Sequence, residues 1–390
     1  MYLKKELLNE LTTNILPYWI HKMQDRENGG FYGRIDGNEV IHKSANKGAI
    51  LNARILWTFS AAYRIIKNPE YLIIANRAYQ YLIDYFIDKE NGGIFWELDH
   101  LGNPVNTKKQ TYAQGFALYG FSEYYRATDE QEALEQAKNL FYLIEKHCYD
   151  PQTGGYFEAF TFDWQPIDDM RLSEKDANEK KTMNTHLHIL EPYTNLCRVW
   201  NNEQLKNAQT KLIQVFIDHI VNRETNHLNL FFDEHWNVKS STISYGHDIE
   251  ASWLLFEAAQ VLGNIELIET AKNLSLKIAD AASEGLNDDG SMNYEKEHEH
   301  KDNDRHWWVQ AETVVGFMYA WKNSRNILYH ENTIKAWDYI RRHIIDNKNG
   351  EWHWSSFPDG EINKRDDKAG FWKCPYHNGR MCMEIMEMEI

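Results

Sequence analysis

The chain has 390 residues, with 58 Asp and Glu against 42 Lys and Arg, a formal net charge of -16. That acidic balance opposes nucleic acid or an anionic membrane surface as a partner and favours a neutral small molecule. The 43% hydrophobic content is ample for a large core, and no apolar run approaches the length of a bilayer span.

The four cysteines, Cys148, Cys197, Cys374 and Cys382, have neither metal-ligand spacing nor the density of a disulfide framework. They read as reduced thiols in a cytoplasmic protein. Residues 1–19 mix Lys4, Lys5, Glu6, Asn9 and Glu10 with leucines, so no secretory leader is expected. A monomer is the expected state.

In chain order, the first helical pattern covers about 5–20 and is followed by Asn28-Gly29-Gly30-Phe31-Tyr32-Gly33. Helices at about 48–64 and 70–88 come next, and the loop then recurs as Asn91-Gly92-Gly93-Ile94-Phe95-Trp96. After helices at 110–127 and 130–148 it appears again as Thr153-Gly154-Gly155-Tyr156-Phe157-Glu158. Degenerate copies at 227–233, 289–293 and 349–354 separate helices at 184–199, 202–221, 247–262, 264–282, 309–323, 329–345 and 375–386. The markers Gly30, Gly93, Gly155, Leu228, Gly290 and Gly350 fall about sixty residues apart, stretched once. A fixed period means one supersecondary unit repeated.

Six such helix pairs with short β-hairpin and loop insertions predict an all-α fold, an (α/α)6 barrel formed as one domain over 1–390. The second helix of each pair is the less charged, as an inner ring packed on both sides requires. Neither end shows a polar capping repeat, which argues against an open solenoid. The long loops 162–182 and 295–305 would overhang one mouth of the barrel. Pro192 falls inside the helix of 184–199 and predicts a kink or an irregular first turn there.

The register then gathers Arg54, Tyr112, Asn184, His186, His188, His247, Glu250, Trp307, Trp308, Glu312, Trp372, His377 and Arg380 near the starts of the inner helices. His247 and Glu250, three apart in Ser244-Tyr245-Gly246-His247-Asp248-Ile249-Glu250, would share a helix face, so the carboxylate could orient the imidazole for proton transfer. His186 and His188, two apart, cannot both face inward, and one is expected to be structural. The abundant Trp and Tyr offer faces for sugar rings, although most would fill the core. No H-E-x-x-H motif, cysteine cluster or dense carboxylate set points to a metal, and no G-x-G-x-x-G follows a strand. Glu250 and Glu312 could serve as a glycosidase pair, but a histidine-rich site suits proton shuttling better.

Ser-Tyr-Gly-His-Asp-Ile-Glu-Ala-Ser-Trp from Ser244, Met-Asn-Thr-His-Leu-His from Met183, Trp-Trp-Val-Gln-Ala-Glu from Trp307, and Trp-Lys-Cys-Pro-Tyr-His-Asn-Gly-Arg-Met-Cys-Met-Glu from Trp372 resemble the cellobiose 2-epimerase family within the N-acylglucosamine 2-epimerase superfamily. The likeness runs from Gly29 to Met383, and Tyr376 to Arg380 resembles the disaccharide branch most. Ala53 and His306 depart from the pattern. The resemblance implies an (α/α)6 barrel and inversion at C2 of the reducing-end sugar of a β-1,4-linked disaccharide, cellobiose to glucosyl-mannose or lactose to epilactose, with no metal or other cofactor. It further implies His377 and His247 as the acid/base pair, His377 being the base in the glucose-to-mannose direction. Arg54 would hold the developing oxyanion, Glu250 would orient His247, and Glu312 and His188 would hold sugar hydroxyls or assist ring opening. Trp308, Trp372 and Trp307 would line the sugar site, with Tyr112 and Asn184 supplying hydrogen bonds. Mannobiose 2-epimerase and aldose-ketose isomerase are the near alternatives; a glycoside hydrolase or a non-catalytic sugar-binding protein is the remote one.

Overall fold

The computed structural model describes residues 2–389. Helices α1 (Tyr2–Glu10) and α2 (Leu16–Lys22) are joined by a π turn, Leu11–Ile15, into one rod. Then follow α3 (Ala49–Ile66), α4 (Pro69–Tyr81), α5 (Thr111–Thr128), α6 (Gln131–Leu143), α7 (Met183–Val199) and α8 (Glu203–Val215). The last five are α9 (Tyr245–Leu262), α10 (Ile265–Ala282), α11 (Trp307–Ser324), α12 (Ile327–His343) and α13 (Tyr376–Glu387). Each lies within two or three residues of its sequence expectation at the start. Three outer helices run on through a π turn, Leu82–Phe86, Ile144–Cys148 and Phe216–Ile220, which accounts for the longer patterns read there.

Helices α3, α5, α7, α9, α11 and α13 each pack on the next, and α13 returns to α3, so the inner ring closes. The outer helices cover it: α4 lies on α3, α6 on α5, α8 on α7 and α9, α10 on α9, α12 on α11, and α1 on α13. Closure explains the sequence contrast between the rings. On α9, thirteen residues from Tyr245 to Ala259 are buried; on α10, six are.

Connections from inner to outer helices are tight. Lys67, Gly263 and Arg325 close α3, α9 and α11 in the left-handed conformation, and the next residue, Asn68, Asn264 or Asn326, caps the outer helix with its side chain. Connections from outer to inner helices carry the Gly-rich turns. Gly93 and Gly155 sit at φ +74° and +78°, and a Cβ on either would lie 2.7 Å from the Trp164 ring or 2.4 Å from the Trp236 ring, so only glycine fits. The first aspartate of these turns meets a buried lysine ahead of an inner helix: Lys47 to Asp25 (2.8 Å), Lys109 to Asp88 (2.7 Å) and Lys181 to Asp150 (2.7 Å). Lys368 to Asp346 (2.6 Å) repeats the pairing in the last turn.

Hairpins form within two units, Glu97–Leu98 with Pro104–Asn106 and Glu295–Glu297 with His300–Asp302, and further strand pairs link neighbouring units. The two residues leading into one inner helix pair with the strand after the next repeat's turn: Lys47–Gly48 with Glu97–Leu98, Lys109–Gln110 with Ala159–Phe160, and Lys181–Thr182 with Phe231–Phe232. Neighbouring repeats are therefore stitched together around the rim where the inner helices begin. Pro192 does not break α7. Its missing N–H frees the His188 carbonyl, which faces Gly115 on α5 so closely that a Cβ there would lie 2.5 Å from the oxygen. No helix among the described residues is long and apolar enough to cross a membrane.

Candidate active site

Tyr112, Asn184, Gly246, Trp308 and His377 are each the second residue of an inner helix, and Arg54, Phe116, His188, Glu250 and Glu312 are each the sixth. Residues four apart lie on one helix face. The closed ring therefore carries two layers of side chains below its mouth. The fourth positions do structural work: Gln114 and Gln310 bond both backbone groups of Ile94 and Met292, His186 accepts from Tyr156 N (2.9 Å), and Asp248 accepts from Leu228 N (2.8 Å). Of the two histidines of α7, His186 is thus the structural one. Its Nδ1 meets the Thr182 carbonyl at 2.6 Å, and burial pushes its pKa down to about 3.

Three other histidines are each anchored through Nδ1: His188 to Glu191 Oε1 (2.6 Å), His247 to Ser244 Oγ (2.8 Å) and His377 to Glu312 Oε1 (2.7 Å). Among the described residues, Nε2 of each has no hydrogen-bond partner, so the nitrogen available for chemistry is the same in all three. The Trp308 ring lies 4.8 Å from the His247 ring and 5.6 Å from the His377 ring, centroid to centroid. Gly246 makes room for it, since a Cβ would stand 2.6 Å from the indole. His247 and His377 are both pushed down to about 3, chiefly by burial, so both rest neutral.

Arg380 organises the floor of the site. Its guanidinium donates to Glu250 Oε1 (2.5 Å), Glu312 Oε1 (2.7 Å) and Glu191 Oε2, and it also bonds the Tyr376 hydroxyl. Burial and the neighbouring Glu312 raise the Glu250 carboxyl well above its ordinary value. Against burial, Arg380 and the His377 hydrogen bond pull Glu312 down to about 2. One expectation is corrected here. Glu250 does not bond His247, whose partner is Ser244; it bonds Arg380 and stands 3.8 Å from His377. Glu312 Oε1 accepts from His377 and Arg380, while Oε2 accepts only from Trp253 Nε1 (3.0 Å) among the described residues and keeps a second lone pair. The spacing that suggests His247 with Glu250 also occurs at His188 and Glu191, and there the pair forms.

Arg54 has no carboxylate partner among the described residues. One Nη donates to the Tyr112 hydroxyl at 2.9 Å, the other lies 3.7 Å from Cys374 Sγ, and the guanidinium rests over the rings of Phe116 (4.2 Å) and Tyr376 (4.8 Å). A permanent charge held by π faces keeps most of its field for a ligand. Trp372 is half-buried, 6.0 Å from the Tyr112 ring and 5.9 Å from that of Trp96. Asn184 Oδ1 is buried without a partner. Trp307 turns the other way, packed on Trp354 (4.6 Å) with the Lys373 ammonium 5.0 Å from its ring, and makes no ring contact with the histidines. His188 with Glu191 and Glu250, and Glu250 with Glu312 and His377, have ligand atoms close enough to hold a metal. The Arg380 guanidinium already bonds all three carboxylates, so a cation would have to compete with it.

The sequence profile of the N-acylglucosamine 2-epimerase (GlcNAc 2-epimerase) family matches residues 30–379. A cellobiose 2-epimerase of Bacteroides fragilis is 58% identical over 98% of this chain and 98% of that protein. One from Ruminococcus albus is 41% identical over 98% of this chain and 97% of its own. The solved structure of a cellobiose 2-epimerase from Bacillus thermoamylovorans superposes with a TM-score of 0.95 at 43% identity, covering 99% of both chains. The chain therefore belongs to the N-acylglucosamine 2-epimerase family and is a carbohydrate epimerase.

Proposed function

We propose that the chain inverts C2 of the reducing-end sugar of β-1,4-linked disaccharides, interconverting cellobiose with 4-O-β-glucosyl-mannose and lactose with epilactose. The observation that carries this reading is the pair His247 and His377, both neutral, anchored at Nδ1 and flanking the Trp308 ring. A C2 proton is acidic only once the ring has opened and C1 is an aldehyde, because the carbanion is then an enediolate. Inversion needs loss of the proton on one face and its return on the other, so one base and one acid must flank C2.

In the glucose-to-mannose direction His377 takes the C2 proton, its imidazolium supported by the ionised Glu312 2.7 Å away, and His247 returns a proton on the opposite face. Arg54, free of any carboxylate partner among the described residues, holds the enediolate oxygen. Trp308 and Trp372 stack on the sugar rings, and Tyr112, Asn184 and His188 bond hydroxyls. Glu250, whose carboxyl is raised and whose Oε2 has no partner among the described residues, serves as a store for the proton exchanged during ring opening. The 58% identity to the Bacteroides fragilis cellobiose 2-epimerase supports the substrate class. In heavy water, NMR of cellobiose with the enzyme should show the epimer forming with deuterium at C2. Free glucose, or neither exchange nor epimer, sinks the proposal.

A further inference from the structure

Ser244 is the residue before α9, where a serine ordinarily bonds a backbone N–H of the first turn. Here it makes no such cap; its hydroxyl bonds His247 Nδ1 at 2.8 Å instead. Ser244 also pairs directly with Glu295 across the antiparallel strands Ile243–Ser244 and Glu295–Glu297. Side chains of directly opposed residues lie on the same face of the ladder, within reach of each other. The serine hydroxyl that bonds the imidazole therefore lies on the same face of the ladder as the carboxyl of Glu295, in the strand pair Glu295–Glu297 and His300–Asp302. We infer that Ser244 and Glu295 form a proton relay that sets the tautomer of His247. This rests on the reading of His247 as one of the two C2 acid/base groups.

The bookkeeping of protons closes without an imidazolium. When His247 gives its Nε2 proton to C2, Nδ1 takes the hydroxyl proton of Ser244, and Ser244 takes the carboxyl proton of Glu295. The result is an ionised Glu295, an intact serine, and His247 protonated at Nδ1 with Nε2 free. Run backwards, Nε2 takes the C2 proton of the mannose-type epimer, the Nδ1 proton passes to Ser244, and Glu295 is protonated. Such a relay suits a histidine whose burial makes the charged form expensive. Its neighbours give Glu295 the right range. Burial pushes its carboxyl up to about 7, with the hydroxyls of Tyr294 and Ser244 nearby lowering it, and Asp302 opposite it on the hairpin and Asp176 of the neighbouring loop raising it further. His377 has no such device: its partner Glu312 stays ionised beside Arg380, so its Nε2 is held as a base.

The test is deuterium exchange at C2, followed by NMR separately from cellobiose and from 4-O-β-glucosyl-mannose, with wild type, Ser244→Ala, Ser244→Thr and Glu295→Gln. The relay predicts that Ser244→Ala and Glu295→Gln slow exchange from the mannose-type epimer by roughly 10- to 100-fold, the range of a positioned acid or base. Exchange from cellobiose, which His377 performs alone, should stay within about threefold, and Ser244→Thr should restore much of the loss. In wild type the mannose-type exchange should rise as pH passes about 7, and this step should vanish in Glu295→Gln, so the carboxyl variant decides the matter even if Ser244→Ala fails to fold. Slowing of both epimers alike, or of neither, overturns the relay. If wild type exchanges neither, the epimerase reading itself is wrong and the relay falls with it.

Discussion

Replacing Glu312 with glutamine probes how far the floor of the site drives the chemistry. The amide keeps the shape and can still accept from His377 Nδ1, now 2.7 Å from the carboxylate, so the ring should stay in place. What is lost is the charge, together with the bond from Trp253 Nε1, which the amide NH2 cannot accept. A hydrogen bond to a charged group contributes about 1.5–3 kcal/mol, against about 0.5–1.5 kcal/mol for a neutral one. The difference, about 1–2 kcal/mol, appears where His377 becomes imidazolium on taking the C2 proton, which corresponds to roughly a 5- to 30-fold fall in kcat. KM should change little, because the neutral ring that meets the substrate is the same in both proteins. The assay is steady-state epimerisation of cellobiose beside C2 deuterium exchange from the same sugar, and both should fall together. A kcat within twofold of wild type would refute the reasoning, since it would mean that His377 works without a counter-charge.

Asp88→Ala leaves the Lys109 ammonium buried without its carboxylate, and orphaning one member of a buried pair costs about 3–5 kcal/mol; urea unfolding should show it, and a loss below about 1 kcal/mol would mean that water reaches the lysine. His186→Gln removes a group that stays neutral in the fold down to about pH 3. Because its folded pKa is depressed, its stability contribution is full above about pH 6.5 and lost as pH falls toward 3, so the gap between wild type and variant should shrink by about 1.4 kcal/mol per pH unit in that window. Parallel stability curves from pH 7 to 4 would count against this role. Gly246→Ala gains about 1 kcal/mol of helix propensity but sets a Cβ 2.6 Å from the Trp308 ring. Stability should barely move while KM for cellobiose rises roughly five- to tenfold, and an unchanged KM would place the sugar elsewhere.

The helices were legible because the repeats share the same rules: an apolar period of 3.6, a turn that is Gly-rich in most copies, and a next unit about sixty residues on. The pairing of strands was not, since two-residue strands have no period to read and their partners lie in the neighbouring repeat. The lysine and aspartate that brace four of the turns are visible in the sequence, but loop polarity hides that they are buried. In the site, the residue types at the inner-helix starts were readable while their partners were not. Glu250 lies three residues from His247, and local spacing suggests the pair; one turn further down the barrel it faces Arg380, 130 positions along the chain.

That outcome follows from charge. A guanidinium with no water around it gathers every carboxylate within reach, and α13 closes the ring by bringing Arg380 against three of them. Arg380 pulls Glu191 and Glu312 down while burial raises Glu250, so the floor sets carboxylates against the positive charges of Arg380 and Arg54. The histidines above it can then rest neutral, as C2 proton transfer in both directions requires. His247 is left to find its partner outside this floor, in Ser244 at the rim. On the proposed reading, the closing helix fixes the base for one face of the sugar, and the rim strands tune the acid for the other.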